Sequence, residues 1–405
     1  MILMKEVIEK INRILSDEDV RKQINRIVQS SSEKIWILLN EYPHIKKYAD
    51  EIVKIKDYSI SHLEDLIKTA MRNIEKNGSK AYFARDAEEA RKIISDIIGS
   101  DKVVIKAKSM ATEEIKLNEY LRKLGKEVWE TDLGMFLIQV LEEEPSHPVA
   151  PAIHITRKEI AKGLRKIGIK ISETSSAEEI AWSVREFLRK KIFSADVGIS
   201  GANALAADTG SIVLVENESN IRLVTSIPKK HIALVPIDKI VPTLEDAIKV
   251  AIVQATYDGL YPPTYINIIT GPSSTADIEH VRVYGAQGPR ELHIILLDNG
   301  RLRASRDPVF SQMLRCVRCG RCLFECPVYE TIGPGYGYEG FNGPMGVVWL
   351  YILGHRDAAG YLSMLCAQAG NCGMACPVKI DLPKLILEIK KEYVRKIVGE
   401  KEFSQ

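Results

Sequence analysis

Cys316-Val317-Arg318-Cys319-Gly320-Arg321-Cys322-Leu323-Phe324-Glu325-Cys326-Pro327 is the stretch from which the rest of the chain can be read. Three thiolates two residues apart can wrap one cubane of iron and sulfide while the intervening amides point at its sulfides. The fourth cysteine, at the start of a new element, reaches a neighbouring cluster. Pro327 keeps the chain from continuing as a helix through that fourth ligand. Zinc, or a set of buried free thiols, is the alternative, and four cysteines at this spacing argue against it.

A second, partial run follows: Cys366-x5-Cys372-x3-Cys376-Pro377. Cys322-x3-Cys326-Pro327-Val328 is echoed by Cys372-x3-Cys376-Pro377-Val378, and Ala369 stands where the repeat calls for a cysteine. Crossed ligation assigns Cys316, Cys319, Cys322 and Cys376 to a 4Fe-4S cluster. Cys366, Cys372 and Cys326 are left for a second cluster short of one thiolate. That site suits a 3Fe-4S cluster, or a 4Fe-4S cluster completed by a non-cysteine ligand such as Asn371 or Gln368. Arg315, Arg318 and Arg321 flank the first run. They raise its potential, form a solvated basic face for a partner, or both.

All 7 cysteines lie between Cys316 and Cys376. An odd, clustered set is not a disulfide framework. Residues 1–10 carry charges where a leader would be apolar. No apolar run approaches the roughly 20 residues of a membrane span, the Val347–Leu353 run being far too short. A cytoplasmic location is expected, with a peripheral place at the inner membrane face open through a partner. The net charge of +2 gives no reason to expect nucleic acid.

Upstream, residues 1–78 read as a helical segment, a packing element or interaction arm. Leu63, Leu66, Ile67, Ala70, Met71 and Ile74 mark one helical face behind a capping-box pattern, Ser61 to Glu64. Residues 79–300 alternate β-branched runs with helical stretches, which predicts an α/β domain around a largely parallel sheet. The expected buried strands are Val103–Ile105, Ile212–Val215, Ile232–Val235, Ile266–Ile269 and His293–Leu297. A helix is expected over Ala177–Lys190 behind the capping box Ser176–Glu179. Residues 301–405 form the third unit: an α-helical iron–sulfur domain with a Gly/Pro loop at 333–338 and a last helix over Leu382–Val398.

Two Gly-rich stretches, Gly198–Gly210 before a strand and Thr270–Glu279 after one, offer backbone amides and hydroxyls to a small anion. The candidate contacts are Gly201, Thr209, Gly210, Gly271, Ser273, Ser274 and Thr275. Tight turns with a capped helix explain the same residues. Lys106, Lys108 and Ser109 form a polar cluster after a strand, ligand-facing or exposed. His147, His154, His231, His280 and His293 are scattered and read as packed or surface residues. No catalytic nucleophile–base pair can be assigned.

With these residues in view, the chain resembles the lactate utilization protein B family. The resemblance is carried by Lys106–Ile115, Glu130–Gly134, Pro148–His154, both Gly-rich stretches, Asp298 and the segment Cys376–Pro383. It implies a LUD domain similar to the sugar-phosphate isomerase and CoA-transferase fold, joined to a ferredoxin-type end. It also implies a CCG-domain cysteine-rich redox subunit and a second LUD-type protein as partners. Gln287 departs from the His that relatives often show. The expected role is that of an iron–sulfur electron-transfer subunit of a lactate-oxidising complex. The alternative is a LUD domain that itself binds a phosphorylated, nucleotide or CoA ligand as an enzyme or sensor.

Overall fold

The computed structural model describes residues 2–402. It opens with helices α1 (Ile2–Ser16), α2 (Glu18–Glu41), α3 (His44–Ser61) and α4 (Leu63–Lys76). α4 buries Leu63, Leu66, Ile67, Ala70 and Ile74, the stripe read from the sequence. The capping box at Ser61 does not form. α3 runs through Ser61, whose hydroxyl donates back to the Tyr58 carbonyl, and α4 starts at Leu63 without a side-chain cap.

In chain order the strands are β1 (Lys80–Ala84), β2 (Val103–Lys106), β3 (Glu127–Glu130), β4 (Val197–Ser200), β5 (Ala204–Ala206) and β6 (Ser211–Glu216). They continue with β7 (Lys230–Pro236), β8 (Ile240–Val241), β9 (Tyr265–Ile269), β10 (Ser274–Thr275), β11 (Val283–Tyr284) and β12 (Glu291–Leu297). Six form a sheet in the order β1-β12-β7-β4-β2-β3, and every pairing in it is parallel. Ile232, Leu234, Ile295 and Leu297 face one covering layer, which includes Ala90, Ile94 and Ile98 of the helix Ala87–Ile98. Ala233, Val235, Ile294 and Leu296 face the other, built from α4 and a second sheet. Burial on both faces is why these strands read as unbroken apolar runs.

That second sheet, β8-β5-β6-β9, carries two of the five expected strands, Ile212–Val215 and Ile266–Ile269, beside the parallel sheet. Only residues 207–210 separate β5 from β6, too few for the crossover that a parallel pair needs, so the two pair antiparallel. Asn203 pins the turn by accepting from the Val215 N–H at 2.9 Å. β9 is this sheet's edge and only half-buried. No helix follows it; Thr270–Glu279 runs into the β10–β11 hairpin. Ala177–Phe193 is helical with the capping box of Ser176 and Glu179 in place.

From Arg301 on, the chain is mainly helical, including Gly343–Ile352, Arg356–Met364 and Leu382–Glu402, with one short antiparallel pair, Gly337–Tyr338 and Phe341–Asn342. Among the described residues no helix is long and apolar enough to cross a membrane. α1–α3 bury Ile14, Ile24, Val28, Ile35, Ile45 and Ile52 in the same core as Leu323, Phe324, Tyr329 and Trp349. The N-terminal helices are therefore a packing element of the cysteine-bearing end.

A buried charge network joins the three regions. Asp238, just after β7, accepts from Arg301 Nε at 2.5 Å and from Arg318 Nη1 at 2.9 Å, and its backbone carbonyl accepts from Lys56 of α3. Arg301 also makes a two-pronged pair with Glu114 at 2.8 and 2.7 Å. Both guanidinium groups lie against the Trp349 ring, 5.1 and 4.5 Å from its centroid. Burial alone would raise the Asp238 pKa, but Arg318, Arg301 and Lys56 outweigh it and hold the carboxyl well below the usual range. Asp238→Ala strands the buried Arg318 guanidinium and takes from Arg301 one of its two carboxylate partners. We expect it to cost about 3–5 kcal/mol in denaturant unfolding. Because the native pKa is depressed, the carboxylate's contribution is present above the unfolded value of about 4 and is lost only as pH falls through the native one.

Candidate metal centre and adjoining cavity

The sequence repeat is also a backbone repeat. Arg318 (φ 58°) and Gly320 (φ 77°) in the first run correspond to Gln368 (φ 56°) and Gly370 (φ 86°) in the second. Each glycine opens a single helical turn, Arg321–Phe324 or Asn371–Met374, that carries the third cysteine. Gly320 is required twice over, since a Cβ there would also sit 2.3 Å from the His147 ring. His147 fastens this loop to the α/β region. It stacks on Phe324 at 4.3 Å, its Nε2 meets the Gly320 carbonyl at 3.3 Å, and its Nδ1 accepts from the Val149 and Ala150 amides. Burial pushes its pKa down to about 3, so it is a neutral packed residue.

Cys316, Cys319, Cys322 and Cys376 line one small cavity with Val317, Met345 and Val378. Cys326, Cys366 and Cys372 form the second group, each of the buried pair Cys326 and Cys372 sensing Cys366 electrostatically. Cys376 of the second run thus shares a cavity with Cys316, Cys319 and Cys322 of the first. Burial pushes the thiols up, Cys376 and Cys326 to about 11 and Cys372 to about 12, so without bound cations they stay protonated.

The surroundings fit iron–sulfur clusters. Backbone N–H groups point at sulfur, as from Ile380 to Cys376 Sγ at 3.5 Å. The Tyr336 hydroxyl is fully buried, has no oxygen or nitrogen partner, and faces Cys366 and Cys326. No three His, Cys, Asp or Glu side chains among the described residues converge on a single metal ion. Clusters bound here supply one-electron redox chemistry.

Ala369 is exposed, whereas its counterpart Cys319 is buried. Asn371 is exposed, and Gln368 donates to Cys366 Sγ at 3.3 Å. The arginines do not form the solvated basic face that was one reading of them. Arg318 is buried on Asp238, Arg321 pairs with Glu325 at 2.7 Å, and Arg315 pairs with Asp57 at 2.6 Å.

A cavity of about 620 Å³ opens at the C-terminal ends of the parallel strands and reaches Arg318 of the first cysteine run. It holds Lys108 and Ser109 beyond β2, Asp132 beyond β3, Gly201 beyond β4 and Lys239 beyond β7. This is where ligands bind in open parallel sheets. Lys106 is excluded from it: fully buried, it pairs with Glu113 at 2.8 Å and Glu130 at 2.7 Å.

Of the seven Gly-rich-stretch candidates, only Gly201 lines this cavity. Thr209, Gly210 and Gly271 gather at the end of α4. Asn77 donates to the Thr209 carbonyl at 2.6 Å, and a Cβ on Gly210 or Gly271 would meet backbone of Ile74 or Asn77 at 2.5 Å. Ser273, Ser274 and Thr275 belong to the β10–β11 hairpin region, where Ser273 anchors Gly285 and Gly288. His154, His231 and His293 are buried and His280 exposed. Sequence reasoning missed Asp238, Lys239, Asp258 and Tyr336. None sits in a motif, and the Ile237-Asp238-Lys239 charge pair inside an apolar run was the one signal available.

A parallel α/β domain fastened to a doubled cysteine module defines an iron–sulfur protein of two-cluster type. The LUD domain family model matches residues 67–297 and the 4Fe-4S dicluster domain model residues 312–380. Lactate utilization protein B of Bacillus subtilis is 38% identical over 96% of this chain and 80% of its own length. An uncharacterized electron transport protein of Escherichia coli is 33% identical over 97% of this chain and 81% of its own. A crystal structure of a DUF162 family protein from Deinococcus radiodurans matches at TM-score 0.34 and 16% identity, covering 58% of this chain and 98% of that one. The chain belongs to the lactate utilization protein B family.

Crossed ligation has a direct test. Cys326→Ser is expected to deplete the cluster of Cys366 and Cys372 and to spare the one at Cys316, Cys319 and Cys322, despite its place in the first run. Iron analysis and EPR of the anaerobically purified variant distinguish this from loss of the first cluster.

Proposed function

We propose that this chain is the iron–sulfur electron-transfer subunit of a complex that oxidises lactate or a similar 2-hydroxy acid. Its 7 thiols, sorted into two neighbouring groups within one core, carry the reading: a purely structural staple needs one cluster. The names of the relatives support the substrate, and the family resemblance supports a CCG-domain redox subunit and a second LUD-type protein as partners in the cytoplasm. A helical segment over residues 1–78, a LUD domain over 79–300 and an iron–sulfur domain over 301–405 are the working division. The chain carries no flavin or nicotinamide fingerprint. The isolated, cluster-loaded chain is therefore expected not to oxidise lactate with an artificial acceptor. It should accept electrons once the partner subunits are added, seen as bleaching of its visible absorbance. Robust oxidation by the chain alone would refute the division of labour.

For the cofactors, the reading is a 4Fe-4S cluster at Cys316, Cys319, Cys322 and Cys376 and a 3Fe-4S cluster at Cys326, Cys366 and Cys372. An alanine methyl cannot hold the fourth iron. Air-oxidised protein should show a narrow EPR signal near g of about 2, and Ala369→Cys should remove it and add roughly one iron per chain. An absent signal, with no effect of the substitution, means that a non-cysteine ligand completes a 4Fe-4S cluster.

A further inference from the structure

The cavity at the strand ends has no part in cluster ligation, yet it is built like a binding site. Its volume, about 620 Å³, is that of pockets that enclose small organic molecules, and much of its wall is apolar, with Leu133, Leu137, Ile153, Ile155, Leu214 and Ile221 among the lining residues. Lys239 and Asp258 are charged side chains in its lining without an ion pair among the described residues. Lys239 donates only to the Ala202 carbonyl and forms no ion pair among the described residues. Asp258 makes no side-chain hydrogen bond or ion pair there either, although it lies largely out of solvent and acts electrostatically on Cys319.

The charge pattern selects the ligand. Asp132, Glu216, Glu218 and Asp258 all line the cavity. At the N-terminus of the helix Leu133–Leu141, the Met135 N–H is taken by Asp132 and the Leu133 N–H by Glu218, which removes the usual phosphate cradle. A multiply charged phosphate would meet these carboxylates, whereas one carboxylate can meet Lys239 beside Arg318. We propose that this cavity binds an organic monocarboxylate, its carboxylate held by Lys239 and its apolar body along the Leu133–Leu137 wall, next to the first cysteine group. This deepens the lactate-type reading by giving this chain its own acid-binding site. Burial and Arg318 bring Lys239 down to about 7, and burial brings Asp258 up to about 8. Near neutrality the pair thus offers an ammonium that a carboxylate would keep charged and a protonated carboxyl that can donate a hydrogen bond.

The test is calorimetric titration of the full, cluster-loaded chain with L-lactate, pyruvate, 2-hydroxyoctanoate, inorganic phosphate and coenzyme A. Reduced-state EPR is recorded with and without each. At least one monocarboxylate should bind and perturb the EPR spectrum of the cluster nearest Arg318. Lys239→Met should weaken it roughly tenfold or more, and Lys239→Arg should restore most of it. Should Lys239→Met not retain its clusters, Asp258→Leu decides the same question at the other contact. Binding of phosphate or coenzyme A in preference to every acid overturns the proposal, as does undiminished binding by the Lys239→Met or Asp258→Leu variant. Failure of all acids to bind overturns it too and leaves the electron-transfer reading standing. Acid binding without electron uptake from the partners does the reverse.

Discussion

One buried carboxylate organises this molecule. Asp238 sits past the end of β7 and receives Arg301 from the segment after β12, Arg318 from the first cysteine run and, through its carbonyl, Lys56 from α3. Each contact joins regions far apart in sequence. An unpaired ion in such a place would be prohibitively costly, so the regions can dock only in the arrangement that satisfies all of them together. The Trp349 ring beneath both guanidinium groups closes the network from the C-terminal side.

That constraint places the redox-ligating loop against the strand ends. Arg318 holds a left-handed backbone between Cys316 and Cys319 and turns its side chain to Asp238. The thiols on either side face the helical core instead. Gly320 and His147 add a second fastening, of shape rather than charge. A positive group is therefore fixed beside the first cysteine group, its charge met by the buried Asp238 carboxylate.

The two halves of the cysteine module share their backbone and differ in their surroundings. The first is enclosed: Cys319 is buried and Gly320 lies under an imidazole. The second is open: Ala369 is exposed and a Cβ on Gly370 would meet nothing within 4 Å. The exposed Ala369 takes no part in the core packing.

The sequence alone determined the cysteine chemistry, since ligand spacing is local and survives any docking. It determined the parallel strands β2, β7 and β12 and the α4 face too, because burial on both faces, or on one helical stripe, writes a periodic signature; β4 lay hidden at the start of the Gly-rich stretch Gly198–Gly210. It could not tell which sheet Ile212–Val215 and Ile266–Ile269 join, because apolar runs are the same in a parallel and an antiparallel sheet; the short 207–210 link decides the β5–β6 pairing. It scattered the anion-site candidates, since glycines that permit close packing on α4 look identical to glycines that cradle a ligand. The Asp238 network, the cavity and the Lys239 and Asp258 charges in its lining belong to tertiary structure alone. Charges brought together from residues 56, 114, 238, 301 and 318 leave no pattern in the chain, because their pairing is set by where whole elements dock.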